Sequence, residues 1–158
     1  MARSVNRSYT MPRIVLILIL MSLTGCASVR IPDYIKADHP YVRKISGDYD
    51  SIITSTKNVL YREGWLVIRE ANPSDYERRD GEDQSKDVLL FTEPKRYSKV
   101  AYSTYTHLNV FVHANADGAE VDIRYEAVTP GPIRQADLRN DRLANRILDK
   151  IEQNVESK

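Results

Sequence analysis

The fold is decided by an alternating stretch that reads KVAYSTYTHLNVFVHANADGAEVDIRYEA over residues 99–127. Up to position 114, aliphatic residues alternate with polar or aromatic ones, and the alternation resumes from position 121 to 127. Successive side chains of a strand point to opposite faces, so this pattern predicts two strands with one buried face and one wet face. The pair Asp117-Gly118 between them is a strong hairpin signal. We therefore expect an antiparallel hairpin.

A two-residue turn at Asp117-Gly118 predicts the register of this hairpin. It places Val112 opposite Ile123 on the buried face and His113 opposite Asp122 on the wet face, so that apolar residues meet each other. A four-residue turn would shift each cross-strand pairing by two residues and keep every side chain on the same face of the sheet. A three-residue turn breaks the pattern and is rejected.

Apolar residues at helical spacing, three and four positions apart, occur both before and after this hairpin in the chain. The first helix is predicted over residues 46–63, ended by Gly64, and the second over residues 140–155. Buried strands are predicted at Trp65–Ile68 and Val88–Thr92. The apolar positions of the first helix face are Ile45, Tyr49, Ile52, Ile53, Thr56, Val59 and Leu60, and those of the second are Leu143, Ala144, Ile147, Leu148, Ile151 and Val155.

These elements predict one domain of the α+β class over residues 41–158. It has two layers, with a mostly antiparallel sheet of about four strands and two helices packed on one face, because only one face of the sheet is apolar. The polar segment between Ala71 and Lys86 is predicted to be a long loop, either disordered or functional.

The first 25 residues have the pattern of a secretory signal. Arg13 precedes an aliphatic octamer, Ile14–Met21, and small residues follow it. The octamer is too short to cross a bilayer, which takes ~20 apolar residues. A start at Met11 instead of Met1 leaves the same pattern, and the sequence does not choose between them.

The next four residues, Leu23-Thr24-Gly25-Cys26, resemble the bacterial lipobox at every position. The resemblance implies cleavage between Gly25 and Cys26, diacylglyceryl transfer to the Cys26 sulfur and a lipidated tether over residues 26–40. In a host with two membranes, Ser28 favours the inner leaflet of the outer membrane, facing the periplasm. The membrane is thus an expected partner through this anchor.

The charge and cysteine content of the chain limit which other partners and which disulfides we expect. Without residues 1–25, which hold three arginines and no acidic residue, 20 basic residues face 22 acidic ones. A nearly neutral domain lacks the clustered positive charge that nucleic acid binding requires, so no nucleic acid partner is expected. Cys26 is the one cysteine of the chain, which excludes an intramolecular disulfide.

No pattern typical of catalysis stands out. His107 and His113 lie six residues apart on one strand face, about 20 Å, which is too far for both to bind one metal ion. No nucleophile elbow and no glycine-rich phosphate loop is present. We expect no cofactor, no metal and no catalytic site, although a pair of carboxylates of the glycosidase kind is not excluded by counting.

Basic and aromatic residues share the predicted wet face. They could bind an envelope protein, or the tyrosines could simply favour strands. The candidate partner-binding residues are Tyr97, Lys99, Tyr105, His107, Phe111 and His113.

The order of elements resembles a known family in layout. The run Val59–Trp65 before a strand, then a hairpin and a closing helix, is similar to the helix-grip domains of outer-membrane lipoproteins of the BamC type. This resemblance implies a non-catalytic scaffold or envelope-assembly accessory module. The alternatives are an envelope hydrolase acting on glycan or peptide and a structural secretion-system lipoprotein.

Overall fold

The computed structural model describes residues 33–36, 41–78, 86–98, 103–129, 136–137 and 139–157. Within these ranges the chain forms one antiparallel sheet and two α-helices. The strands are β1 (Tyr41–Ser46), β2 (Val67–Ala71), β3 (Val88–Thr92), β4 (Lys95–Ser98), β5 (Ser103–Asn115), β6 (Gly118–Thr129) and β7 (Ala136–Asp137), and the helices are α1 (Tyr49–Arg62) and α2 (Asp141–Glu156).

The strands lie in the order β1-β6-β5-β3-β2, with β4 beside β5 and β7 beside β6. Strands β3 and β4 follow each other along the same edge of β5, separated by Glu93 and Pro94. The predicted α+β fold with an antiparallel sheet and two helices is confirmed. The prediction of about four strands is wrong, because the described residues form six strands of four or more residues and the two-residue β7.

Capping residues set the ends of α1. The Asp48 carboxylate accepts a hydrogen bond of 2.9 Å from the Ser51 amide at the first turn. At the other end, Gly64 has a φ of +75°. The Trp65 amide donates to the Leu60 carbonyl at 2.8 Å and the Gly64 amide to the Tyr61 carbonyl at 2.9 Å. This pattern is a Schellman motif, so the predicted role of Gly64 is confirmed.

Both helices pack on the same face of the sheet. Ile52 and Leu60 of α1 and Ile147 and Ile151 of α2 belong to one buried cluster with sheet residues of a single parity. The sheet residues in this cluster are Ile45, Leu90, Leu108, Val110, Val112, Ala119, Val121 and Ile123.

The β5–β6 hairpin keeps the predicted faces but not the predicted register. Val112 pairs with Val121 and His113 with Glu120, a shift of two residues, because the turn is Ala116-Asp117. No described residue other than glycine has positive φ, so the turn is not the type I′ turn that Asp-Gly favours. The Asn115 side chain accepts from the Asp117 amide at 3.1 Å.

Gly118 serves the neighbouring strand rather than the turn. It has a φ of +153° and pairs with Ser46 of β1. A Cβ atom at this position would lie 2.2 Å from the Ile45 carbonyl oxygen. Glycine is therefore needed here for close approach of two backbones.

Replacement of Gly118 by alanine is expected to lower the free energy of unfolding by about 2 kcal/mol, since the added Cβ forces β1 away from β6 at a strained φ. Urea unfolding followed by circular dichroism measures this loss. Ala116→Ser in the exposed turn is the control and should change the free energy by less than about 0.5 kcal/mol. Equal stabilities of the two variants would contradict the role assigned to Gly118.

Candidate functional site

The second face of the sheet, which is the face turned away from α1 and α2, holds most of the residues predicted to bind a partner. His107, Phe111 and His113 are only 4%, 1% and 5% exposed. The prediction of an open, wet face is wrong at these three positions. Tyr97 is 53% exposed and Tyr105 is half-buried, while Lys99 lies outside the described residues.

Two segments of the chain cover the second face. Residues 33–36, which the sequence assigns to the tether, contribute Tyr34 and the buried Ile35. Residues 72–78, from the predicted long loop, contribute Tyr76, whose ring centroid lies 5.3 Å from those of Tyr34 and Phe91. The alternation predicts a face exposed to solvent, but residues of the same chain cover it.

Charged side chains bind this cover to the sheet. The Arg124 guanidinium lies 3.0 Å from the Asp122 carboxylate and 2.7 Å from the Glu77 carboxylate. It also donates to the Tyr34 hydroxyl at 2.8 Å, and its Cζ atom lies 3.9 Å from the centroid of the Phe111 ring. Burial lowers the pKa of Arg124, but the hydrogen bond to Glu77 and the charge of Asp122 outweigh it and raise that pKa. The guanidinium therefore stays charged inside the protein.

Further hydrogen bonds engage buried polar side chains of β5, although Asn109 Oδ1 and His113 Nε2 have no hydrogen-bond partner. His107 Nε2 lies 3.0 Å from the Thr92 carbonyl oxygen. The Asn109 amide donates to the Asp33 carbonyl at 3.2 Å and so holds the start of the covering segment. These contacts explain why a face rich in His and Asn can be buried.

A buried His–Asp pair lies at the end of the second face nearest the hairpin turn. His113 Nδ1 is 2.8 Å from Asp87 Oδ2, and the two side chains are 7% and 5% exposed. Asp87 Oδ1 accepts from the Ala114 amide at 2.9 Å. The predicted pairing of His113 with Asp122 is wrong, because the two-residue register shift places Glu120 opposite His113.

This pair lines a pocket of about 540 Å³. Asp87, Asp117, Glu120 and Lys44 are among the residues that line it. Both carboxylate oxygens of Asp87 are hydrogen-bonded within the protein, to His113 and to the Ala114 amide. Sequence reasoning missed Asp87, and the available signal was its position directly before a strand that pairs with β5.

Exposed apolar side chains lie at the opposite edge of the sheet. Leu66 and Ile68, before and within β2, are 50% and 58% exposed, and Tyr61 at the end of α1 is 72% exposed. Strand β2 pairs with β3 and lies at the end of the strand order. The large apolar side chains that are exposed among the described residues are thus Val42, Tyr61, Leu66, Ile68 and Tyr97.

Neither a metal site nor a membrane-spanning helix is found among the described residues. Among the described residues no group of three His, Cys, Asp or Glu side chains could hold a metal ion. In the same part of the chain, no helix has both the length and the apolar composition needed to cross a bilayer. Cys26 and Gly25 lie outside the described residues.

Comparison with known proteins found no protein-family model that matches the chain and no significant match among curated proteins.

Proposed function

We propose that the chain is a bacterial lipoprotein, anchored through acyl chains on Cys26, whose domain acts as a non-catalytic binding or scaffold module of the cell envelope. One observation carries this proposal: Leu23-Thr24-Gly25-Cys26 follows directly on a basic residue, an aliphatic octamer and a serine. One acyl chain binds a membrane only marginally, whereas two or three anchor a protein stably. In a host with two membranes the module faces the periplasm from the outer membrane.

On this proposal the tether between the acyl anchor and the domain is short, because the covering segment 33–36 already packs on the second face of the sheet. Asp33 is held by Asn109, and seven Cα–Cα steps separate it from Cys26. Seven extended residues span at most about 25 Å. On this proposal the domain works close to the bilayer surface, and a partner must reach it there.

The exposed edge of the domain supports a protein partner. Leu66 and Ile68, before and within the edge strand β2, are 50% and 58% exposed, and Tyr97 is 53% exposed on β4, which pairs with β5. Aromatic and aliphatic side chains in such positions are typical of interaction surfaces. This edge replaces the buried His107, Phe111 and His113 as the proposed partner-binding surface.

Photo-crosslinking in intact cells tests the proposal. A photoreactive phenylalanine analogue at Leu66 or Tyr97 is expected to give the same protein adduct in repeated experiments, and the adduct should disappear in the Cys26→Ser background. The same analogue at Asn58, an exposed position on α1, is the control and should give no such adduct. Absence of an adduct from both edge positions, or an adduct that survives loss of the anchor, would contradict the proposal.

A further inference from the structure

Two arginines of the sheet stack on phenylalanine rings in the same way. The Arg124 Cζ atom lies 3.9 Å from the centroid of the Phe111 ring, and its guanidinium contacts two carboxylates. The Arg69 Cζ atom lies 4.0 Å from the centroid of the Phe91 ring, but within the described residues Arg69 forms no ion pair. The second stack therefore lacks the anion that the first one has.

Arg69 is accessible to an anion from outside the protein. It is exposed and lies on β2, the last strand of the strand order, whereas Arg124 is 5% exposed. The centroid of a second ring, that of Tyr76, lies 5.7 Å from the Arg69 Cζ atom. Stacking on rings restricts the planar guanidinium before a ligand arrives, and a guanidinium binds a carboxylate through two parallel hydrogen bonds.

A β-bulge places Ile68 beside Arg69. The register of β2 against β3 shifts between Val67 and Arg69, so that Ile68 is the additional residue of β2. Bulges re-aim side chains in this way and are frequent next to functional sites. As a result Ile68 and Arg69 line one small pocket, which we call the notch.

The notch has room for one side chain rather than for a small-molecule ligand. Its volume is about 80 Å³, whereas pockets for small molecules span about 300–1,000 Å³. Phe91 and Pro94 contribute apolar lining. Ile68 and Leu66, 58% and 50% exposed, extend the apolar surface beside it. This surroundings of Arg69 fits a chain segment that carries a carboxylate next to apolar side chains.

Asp33 also lines the notch but does not supply the missing anion. Within the described residues its carboxylate forms no ion pair with Arg69, and its carbonyl oxygen accepts from the Asn109 amide. Because Asp33 is exposed, water and salt screen its repulsion of a bound carboxylate. Its negative charge weakens the attraction of Arg69 for an anion without abolishing it.

We propose that Arg69 binds a carboxylate side chain on an extended segment of the partner protein, while an apolar side chain of the same segment enters the notch. In the described sheet no further strand lies beside β2, so an extended segment can also pair with its backbone. This inference rests on the function proposed above for the β2 edge and names the feature of the partner that the edge recognises.

Peptide titration tests this recognition without the cellular partner. The probes are nine-residue peptides of alternating valine and serine with glutamate, glutamine or lysine at the centre. The full-length protein, with ¹⁵N-labelled arginine, is held in neutral detergent micelles at low salt, and the Arg69 Nε resonance is followed. The glutamate peptide is expected to shift this resonance with saturation and to bind about tenfold more tightly than the glutamine peptide, whereas the lysine peptide leaves it unchanged. Equal affinities for the glutamate and glutamine peptides, or no shift with any probe, would overturn the proposal.

Variants separate binding at Arg69 from general attraction to a basic surface. Arg69→Gln is expected to weaken binding of a fluorescently labelled glutamate peptide about tenfold, and Asp33→Asn to strengthen it about twofold. The matched control, Arg142→Gln, removes an exposed arginine of α2 and should leave the dissociation constant unchanged. Equal weakening by the two arginine variants would show non-specific attraction and overturn the proposal.

Photo-crosslinking at Leu66 separates this inference from the proposed function. An adduct that forms at full yield in the Arg69→Gln variant would overturn the role of Arg69 and leave the protein partner in place. Peptide binding as predicted, with no adduct in cells, would support the recognition by Arg69 and contradict the proposed function alone.

Discussion

Replacement of Cys26 by serine is expected to abolish incorporation of labelled palmitate and to leave an unprocessed precursor that still carries residues 1–25. The sulfur is the proposed site of diacylglyceryl transfer, and a serine hydroxyl is a far poorer nucleophile than a thiolate. Metabolic labelling followed by gel electrophoresis measures both effects, since the precursor migrates more slowly than the processed protein.

Ser28→Ala is the matched control for this substitution. It changes a residue two positions away and keeps the tetrapeptide intact, so labelling and processing should both continue. Palmitate labelling that persists in the Cys26→Ser variant would remove the anchor from the account.

Replacement of Arg124 by alanine is expected to lower the free energy of unfolding by about 3–5 kcal/mol, because it leaves the carboxylate of Asp122 buried without its cation. Asp122 is 1% exposed and Arg124 5%. The same substitution removes the contacts of Arg124 with Glu77 and Tyr34, so the covering segments 33–36 and 72–78 should also become more accessible to protease. Urea unfolding and limited proteolysis measure the two effects.

Two further variants test whether the loss of stability comes from the unpaired buried charge. Arg78→Ala removes an exposed arginine from the covering region and should cost less than about 0.5 kcal/mol. Arg124→Met with Asp122→Leu removes both charges and should be more stable than Arg124→Ala alone, since replacing both members of a buried ion pair is often tolerated. A cost for Arg124→Ala as small as that for Arg78→Ala would show that the network does not hold the cover.

Local patterns were sufficient for the helices and for the two strands and faces of the hairpin, but not for its register. The spacing of Ile52, Val59 and Leu60 and the glycine at position 64 predicted α1 to within three residues at its start and one residue at its end. Strand β1 was missed because Ile45 lies four residues before Tyr49 and so fits the helical spacing. Gly47, with φ of +139°, separates the strand from the helix in the structure.

The second face could not be predicted because its partners are distant in the sequence. Alternation shows that residues such as Asn109 and His113 differ from their neighbours, but it does not distinguish water from a polar contact inside the chain. The cover comes from residues 33–36 and 72–78, up to 90 residues away from Arg124 along the chain. The His113–Asp87 pair depends on the pairing of β3 with β5, in which Val88 lies opposite Val112, and the sequence analysis made no prediction of that register.

The mass of the N-terminal peptide of the protein purified from its own host membranes tests the central claim most directly. We expect this peptide to begin at Cys26 and to exceed its amino acid mass by a diacylglyceryl group, with or without a further acyl chain on the amino group. A peptide with an unmodified Cys26 thiol, or mature protein that retains residues 1–25, would contradict the claim.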